Sequence, residues 1–463
     1  MAHRCRPESP ACRVRSLPRN LDAAAPEAPA LAILGVGARS VRHWLQARDK
    51  TYIAARGQKI VRRYGITSSK AQERLVACVE SLASYGCFPT FPTPGRVLRR
   101  SPEFFRELQR AGSELAVHGY DHVDFRRLSV EEARAQFTRA IETFTNAGID
   151  ITGFRCPYLS FTDRLLDAVP TDVLQYGSND AIVWGVRADD VMAGGDGLLR
   201  GLRDLYQAKS ADSNVAVPRF KGPLLELPAS LPDDLQLYDG LALGEEGVTS
   251  TWSDVFRRTN ARGELFTALF HPEAFAEVRT PLEHLLREAR SETPGVWIAR
   301  LREINEWWRE KARFSWELGS SSIALHCSDR ATILVLELDV NDATRPWRGR
   351  YRVLDGRRVD LGNGPYPLLG LAPGVPEEVG AFLRDQGYLV YEGEDRTRCT
   401  VVIGPSTVSA VANEVELLDH VESSEGPLVR FWRWPNEAGS ALSITGDLDA
   451  LSLVDYGLRL LPS

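Results

Sequence analysis

Between about residues 66 and 313 the apolar positions alternate between helical spacing and short continuous runs, which is the pattern of parallel βα units. Leu75, Val76, Val79, Leu82 and Ala83 recur at helical spacing and stop at Gly86, a natural C-terminal stop. Ser101 and Pro102 open a second helix that closes at Gly112. A capping box of Ser129 and Glu132 opens a third, with apolar positions at Ala133, Phe137, Ile141 and Phe144, ending at Gly148. The short runs predict strands at 88–91, 114–117, 151–154, 173–176, 224–227, 265–270 and 296–299, and a helix over 300–313 closes the unit. In a barrel of parallel strands the reactive residues follow the strand ends on one face, so these junctions are where chemistry is sought.

The texture changes near Phe314. Strands are predicted within 322–340 and 350–361, then strand, helix and strand at 367–370, 376–387 and 388–391. A strand at 401–404, a helix at 414–422 and a strand at 428–432 follow, and no internal repeat is evident. The pattern predicts a separate, smaller α/β domain.

Three strand ends carry chemistry. In Glu114-Leu-Ala-Val-His118-Gly-Tyr-Asp-His122 two imidazoles stand four residues apart just after an apolar run, where a turn can aim both at one cation. The bland alternative is a pair of hydrogen-bonded loop histidines. Phe154-Arg155-Cys156-Pro157-Tyr158 joins a guanidinium able to orient a carboxylate to a fixed-φ proline and a backbone N–H that can face an oxyanion, against the plain reading of a turn with a surface arginine. Leu269-Phe270-His271 ends the 265–270 run; the histidines at 3, 43, 284, 326 and 420 sit in no comparable context. Far downstream, Ala441-Leu-Ser-Ile-Thr-Gly-Asp447-Leu-Asp449 runs from an apolar strand into paired carboxylates, which alternate-residue geometry can point to one side.

His118-x-x-x-His122, Arg155-x-Pro157-Tyr158 and Leu269-x-His271, in this order, resemble the polysaccharide deacetylase (NodB-homology, carbohydrate esterase 4-like) family, over roughly 66–313 plus 438–463. The resemblance implies a distorted seven-stranded (β/α) barrel and metal-dependent removal of an acetyl group from a sugar-containing substrate. It also implies one divalent ion, zinc before others, on His118, His122 and Asp449, with Asp447 as general base oriented by Arg155. His271 would protonate the leaving group, and Pro157, Tyr158 and Leu269 would line the groove and acetyl pocket. Trp184 is a candidate platform for a sugar ring, although a buried core tryptophan is the commoner case. Trp307 and Trp308 read as packing.

Family members carry the aspartate pair on the first barrel strand, upstream of the histidines, where residues 31–117 of this chain offer only Asp49. The matching run at 441–446 therefore implies a circular permutation in which the C-terminus supplies the first strand. The expected order is a disordered leader 1–30, the main barrel 31–313, an inserted α/β domain 314–430 and a completing segment 438–463. Prolines in 88–95 predict a short strand there. For the aspartate that supports the catalytic histidine, Asp180 is the candidate.

Composition narrows the class further. The chain has 463 residues, 43% apolar, enough for one large domain of ~250 residues and a companion. Its 62 acidic and 56 basic residues are mixed along the length, net −6, which argues against a nucleic-acid partner. Seven cysteines without a Cys-x-x-Cys pair read as reduced thiols and a cytoplasmic setting. No apolar run approaches the ~18 residues of a membrane span, and the arginine-rich start reads as leader, with a transit peptide as the alternative. The expected partner is an acetylated sugar or aminosugar, with a homo-oligomer left open. Two rivals stand beside this reading: an allantoinase-like amidohydrolase, and a non-catalytic glycan-binding barrel, which would leave Asp449 far from the histidines.

Overall fold

The computed structural model describes residues 63–186, 195–338 and 344–458; the expected leader and Asp49 lie outside them. The first part of the chain supplies β1 Thr90–Thr93, β2 Glu114–Val117, β3 Gly153–Phe154, β4 Tyr176–Gly177, β5 Ala181–Val183, β6 Lys209–Ser210, β7 Arg219–Lys221, β8 Leu224–Glu226, β9 Ala229–Leu231, β10 Leu265–Phe270 and β11 Val296–Ile298. The last strand, Ser440–Gly446, joins the same sheet and is named β22, after ten strands of the intervening region.

The strand order is β6-β5-β9-β10-β22-β1-β2-β3-β4-β8-β7, with β11 also paired to β22. All pairings are parallel except β7 with β8. Helices Ser69–Ala83, Val130–Asn146, Glu245–Arg262 and Phe275–Ser291 bury their apolar faces in one large core with Phe91, Leu115, Phe266, Leu442 and Ile444. This is a distorted (β/α) barrel, and its path ends at β6 and β7 rather than closing on itself. The sheet has 12 strands where seven were expected. The added ones, such as β5 and β9, are three residues long, too short to show a period in the sequence.

β22 lies between β10 and β1. Its register with β10 runs from Leu265↔Ala441 to Phe270↔Gly446, while its ladder to β1 is a single pair, Thr90↔Thr445. Pro92 accounts for the difference. Its backbone faces β22, where its carbonyl accepts the Leu448 N–H at 2.9 Å, and it has no N–H to return. Every residue of β22 is buried, as a strand covered on both faces requires.

The region after Phe314 supplies β12 Ser315–Leu318, β13 Ser322–His326, β14 Ile333–Leu336, β15 Thr344–Arg348, β16 Tyr351–Leu354, β17 Arg358–Asp360, β18 Tyr366–Leu371, β19 Val390–Tyr391, β20 Cys399–Ile403 and β21 Leu428–Phe431. They form two antiparallel sheets, β12-β13-β17 and β15-β16-β14-β21, and a parallel one, β19-β18-β20. Helix Glu377–Asp385 makes the crossover between β18 and β19. Trp307 and Trp308, on the helix that follows β11, share a buried cluster with Leu334, Leu369, Val401 and Trp434. The Trp307 and Trp434 indole N–H groups donate to the carbonyls of Arg433 and Gly263 at 2.7 and 2.9 Å, so both indoles satisfy their polar edge.

Leu442 is fully buried where β22 meets the main core. Leu442→Ala is expected to cost about 2–5 kcal/mol of unfolding free energy. Urea titration followed by circular dichroism would read it; a loss below ~1 kcal/mol would mean that β22 is peripheral to the fold.

Candidate active site

The histidine pair stands on the turn after β2. His118 continues the strand, its N–H donating to Thr93 O at 3.1 Å, and Gly119 then takes a left-handed φ of +70°, which glycine adopts without penalty. The Tyr120 and Asp121 N–H groups both donate to Gln136 Oε1, at 3.0 and 2.8 Å, and Arg96 pairs with Asp121, so the turn is held from two sides. His118 Nδ1 lies 2.7 Å from the Arg155 carbonyl. A carbonyl only accepts, so Nδ1 carries the proton and the bare Nε2 faces the site. That Nε2 stands 3.6 Å from Asp449 Oδ1, and His122 Nε2 stands 2.9 Å from the same oxygen.

These three groups fit a divalent cation. Their ligand atoms lie within 4.8 Å of one another and all three side chains are buried. Donors ~2.0–2.1 Å from a tetrahedral ion stand ~3.3 Å apart, and the two spacings bracket that value. Two neutral imidazole nitrogens and a carboxylate are also the donor types zinc takes in open sites.

Asp447 and Asp449 arrive from β22, and the register with β10 sends His271 and Asp447 out of neighbouring strands together. The Asp447 N–H donates to Phe270 O at 3.1 Å. Arg155, fully buried, puts Nη1 2.8 Å from Asp447 Oδ1 and 3.0 Å from Thr445 Oγ1, while Nε and Nη2 donate to Ser178 O and Oγ at 3.0 and 2.9 Å. Tyr158 and Leu159 hold φ values of 60° and 49°, unfavourable for side-chain-bearing residues, and the Tyr158 ring meets His122 edge-on at 4.7 Å. Pro157 is buried at the start of this turn, and Leu269 is buried beside Leu159, Val183 and Leu231.

His271 has a partner that the sequence reading missed. Asp234 Oδ1 lies 2.7 Å from His271 Nδ1, and Asp234 Oδ2 accepts the His271 N–H at 3.1 Å. β9 pairs with β10 through Ala268↔Ser230, so the residues just past both strands meet. Asp180, the candidate for this part, is bound instead to Lys221 at 2.9 Å. Burial alone would depress the His271 pKa; the Asp234 charge and hydrogen bond, with Glu273 and Asp449, outweigh it and raise it well above 6.5. Asp233, Asp234 and His271 form a second cluster of ligand-type groups, but Asp233 Oδ1 accepts the Gln236 N–H at 2.8 Å and both Asp234 oxygens serve His271. Trp184 is corrected to a core residue: it is fully buried, with Arg258 and Arg262 over its ring at 5.1 and 5.6 Å, and offers no face to a sugar.

Residues 68–175 match a family model described as polysaccharide deacetylase. The matched segment holds His118, His122, Arg155, Pro157 and Tyr158, and ends before His271, Asp447 and Asp449. No curated protein matches the chain by sequence. Among solved structures, the chain is similar to a Mycobacterium smegmatis protein named as a polysaccharide deacetylase, at 22% identity over 54% of this chain and 81% of that one, TM-score 0.42. A Pseudomonas aeruginosa PAO1 protein named likewise shares 17% identity over 53% and 74%, TM-score 0.38. Puue allantoinase shares 16% over 52% and 73%, TM-score 0.38.

Asp234 sets the direction of the His271 shift, so Asp234→Asn removes the raising charge and leaves burial, which lowers the pKa. Histidine NMR titration of the metal-free protein is expected to find His271 titrating above 6.5 in the wild type and lower in the variant. An unchanged midpoint would show that Asp234 does not control the ring.

Proposed function

We propose that the protein removes an acetyl group, from nitrogen in the first place and from oxygen as the variant reaction, on an acetylated sugar or aminosugar. The observation that carries this reading is the convergence of Asp449 Oδ1 on His118 and His122 at 3.6 and 2.9 Å, beside Asp447 and His271. A divalent ion held by His118, His122 and Asp449, zinc before others, would polarise the acyl carbonyl and acidify an attacking water.

The chain's own residues do the rest. Asp447, held by Arg155, takes the water proton as the new C–O bond forms. His271, protonated beside Asp234, gives its proton to the departing nitrogen as the C–N bond breaks. The Tyr158 backbone N–H, fixed by its left-handed turn, faces the developing oxyanion, while Pro157 and Leu269 flank the acetyl methyl. The domain reading is that 31–313 and 438–463 form one catalytic barrel in permuted order, interrupted by 314–430.

The distances to Asp449 favour turnover over a non-catalytic glycan-binding barrel, and no observation favours the allantoinase-like alternative. No helix among the described residues is long and apolar enough to cross a membrane. The five described cysteines are free thiols, which supports a cytoplasmic setting.

Acetate release from a panel of acetylated sugars tests the reading. Asp447→Asn is expected to lower kcat about 10²–10⁴-fold with little change in KM, because it removes proton transfer and leaves binding. Asp449→Ala and chelator treatment are both expected to abolish turnover. Acetate release that survives both would sink the mechanism.

A further inference from the structure

Arg155 is pinned through a turn, and the turn is pinned by one buried carboxylate. Glu226, at the end of β8 and 1% exposed, accepts the N–H of Asp180 on Oε1 at 2.8 Å and that of Asn179 on the same oxygen. This fixes the backbone over 178–180. Ser178 then presents its carbonyl and hydroxyl to the Arg155 guanidinium, while Asn179 Oδ1 accepts the Cys156 N–H at 2.7 Å. Residues 155 and 156 are therefore held from the same turn by side chain and by backbone.

Arg155 in turn reaches both halves of the site. Its guanidinium holds Asp447, and its carbonyl fixes the proton on His118 Nδ1. The approach of Glu226 is made possible by Gly177, where a Cβ would stand 2.5 Å from Glu226 Oε2 and 2.9 Å from Asn179 Nδ2. Burial first, and the neighbouring Asp180 charge second, push the Glu226 pKa up to about 7, so what the turn uses is an accepting oxygen more than a full charge.

We propose that Glu226 is the positioning residue of this site, setting through the 178–180 turn both the orientation of the base Asp447 and the cation-facing nitrogen of His118. A buried carboxylate kept only for packing would leave both untouched. The inference rests on the deacetylase reading for its turnover readout alone; metal affinity and the His118 tautomer are read without substrate.

The test compares Glu226→Ala, Glu226→Gln and Glu226→Asp in the full chain. Glutamine keeps an oxygen able to accept both N–H groups, and is expected to retain kcat and zinc affinity within about threefold. Alanine removes the acceptor and is expected to lose about 10- to 100-fold in kcat and in zinc affinity, with KM little changed. Histidine NMR of the metal-free alanine variant should show His118 losing its single Nδ1–H form. Should alanine prevent folding, aspartate, one methylene too short to reach the turn, replaces it with the same direction of change. Wild-type kcat, zinc affinity and His118 tautomer in the folded alanine or aspartate variant would overturn the proposal. A glutamine variant as impaired as alanine would overturn the acceptor account. If no acetylated sugar is turned over by the wild type, the deacetylase reading fails while the affinity and tautomer arms still decide the role of Glu226.

Discussion

The seating of β22 between β10 and β1 is the constraint on which the site depends. Parallel pairing from Leu265↔Ala441 to Phe270↔Gly446 delivers Asp447 beside His271, and Asp449 two residues further to the histidines on the neighbouring turn. A slip of one residue would turn the carboxylates to the other face of the strand. The register is set by the apolar pattern: Leu442 and Ile444 face the main core, while Thr445 points the other way and donates to Ala268 O at 3.0 Å. The stability of the fold and the placement of its chemistry thus rest on the same ladder.

Around that ladder Arg155, Asp234 and His118 each have their partners in place. Arg155 spends its donors on Asp447, Thr445 and Ser178, Asp234 spends both oxygens on His271, and the His118 ring proton goes to the Arg155 carbonyl. An isolated charge at such depth is costly, and the partner that each of these carboxylates has here also sets its direction. Asp447 is directed by a guanidinium and suits proton acceptance. The other carboxylate, Asp234, raises a ring pKa and suits proton donation.

Much of this could be seen in the chain because it is local. The histidine pair, the Arg-x-Pro-Tyr turn and the Leu-x-His end each follow a run of apolar residues, and each run became a strand of one parallel sheet. The C-terminal run was legible for the same reason, an apolar strand ending in two carboxylates. The partner of His271 was not, because Asp234 follows a three-residue strand whose pairing with β10 is a tertiary fact with no periodic trace. Asp180 looked equivalent as an acid near a strand end, and only packing assigns it to Lys221. Trp184 failed for a different reason, since an aromatic at a strand end reads alike whether its ring meets solvent or the two arginines that cover it. The region after Phe314 showed part of its elements, but not the strands Ser315–Leu318 and Thr344–Arg348 or the helix Pro405–Ala410, nor its three separate sheets, nor the tryptophan cluster that joins it to the helix following β11.

The central claim is that a histidine pair on one turn, His118 and His122, shares one cation with Asp449 from the far end of the chain. A crystal of the zinc-loaded protein, measured at the zinc absorption edge, reads this directly. The account requires an anomalous peak ~2.0–2.2 Å from Asp449 Oδ1, His118 Nε2 and His122 Nε2. A peak on Asp233, Asp234 and His271 instead, or none at either cluster at saturating zinc, would contradict it.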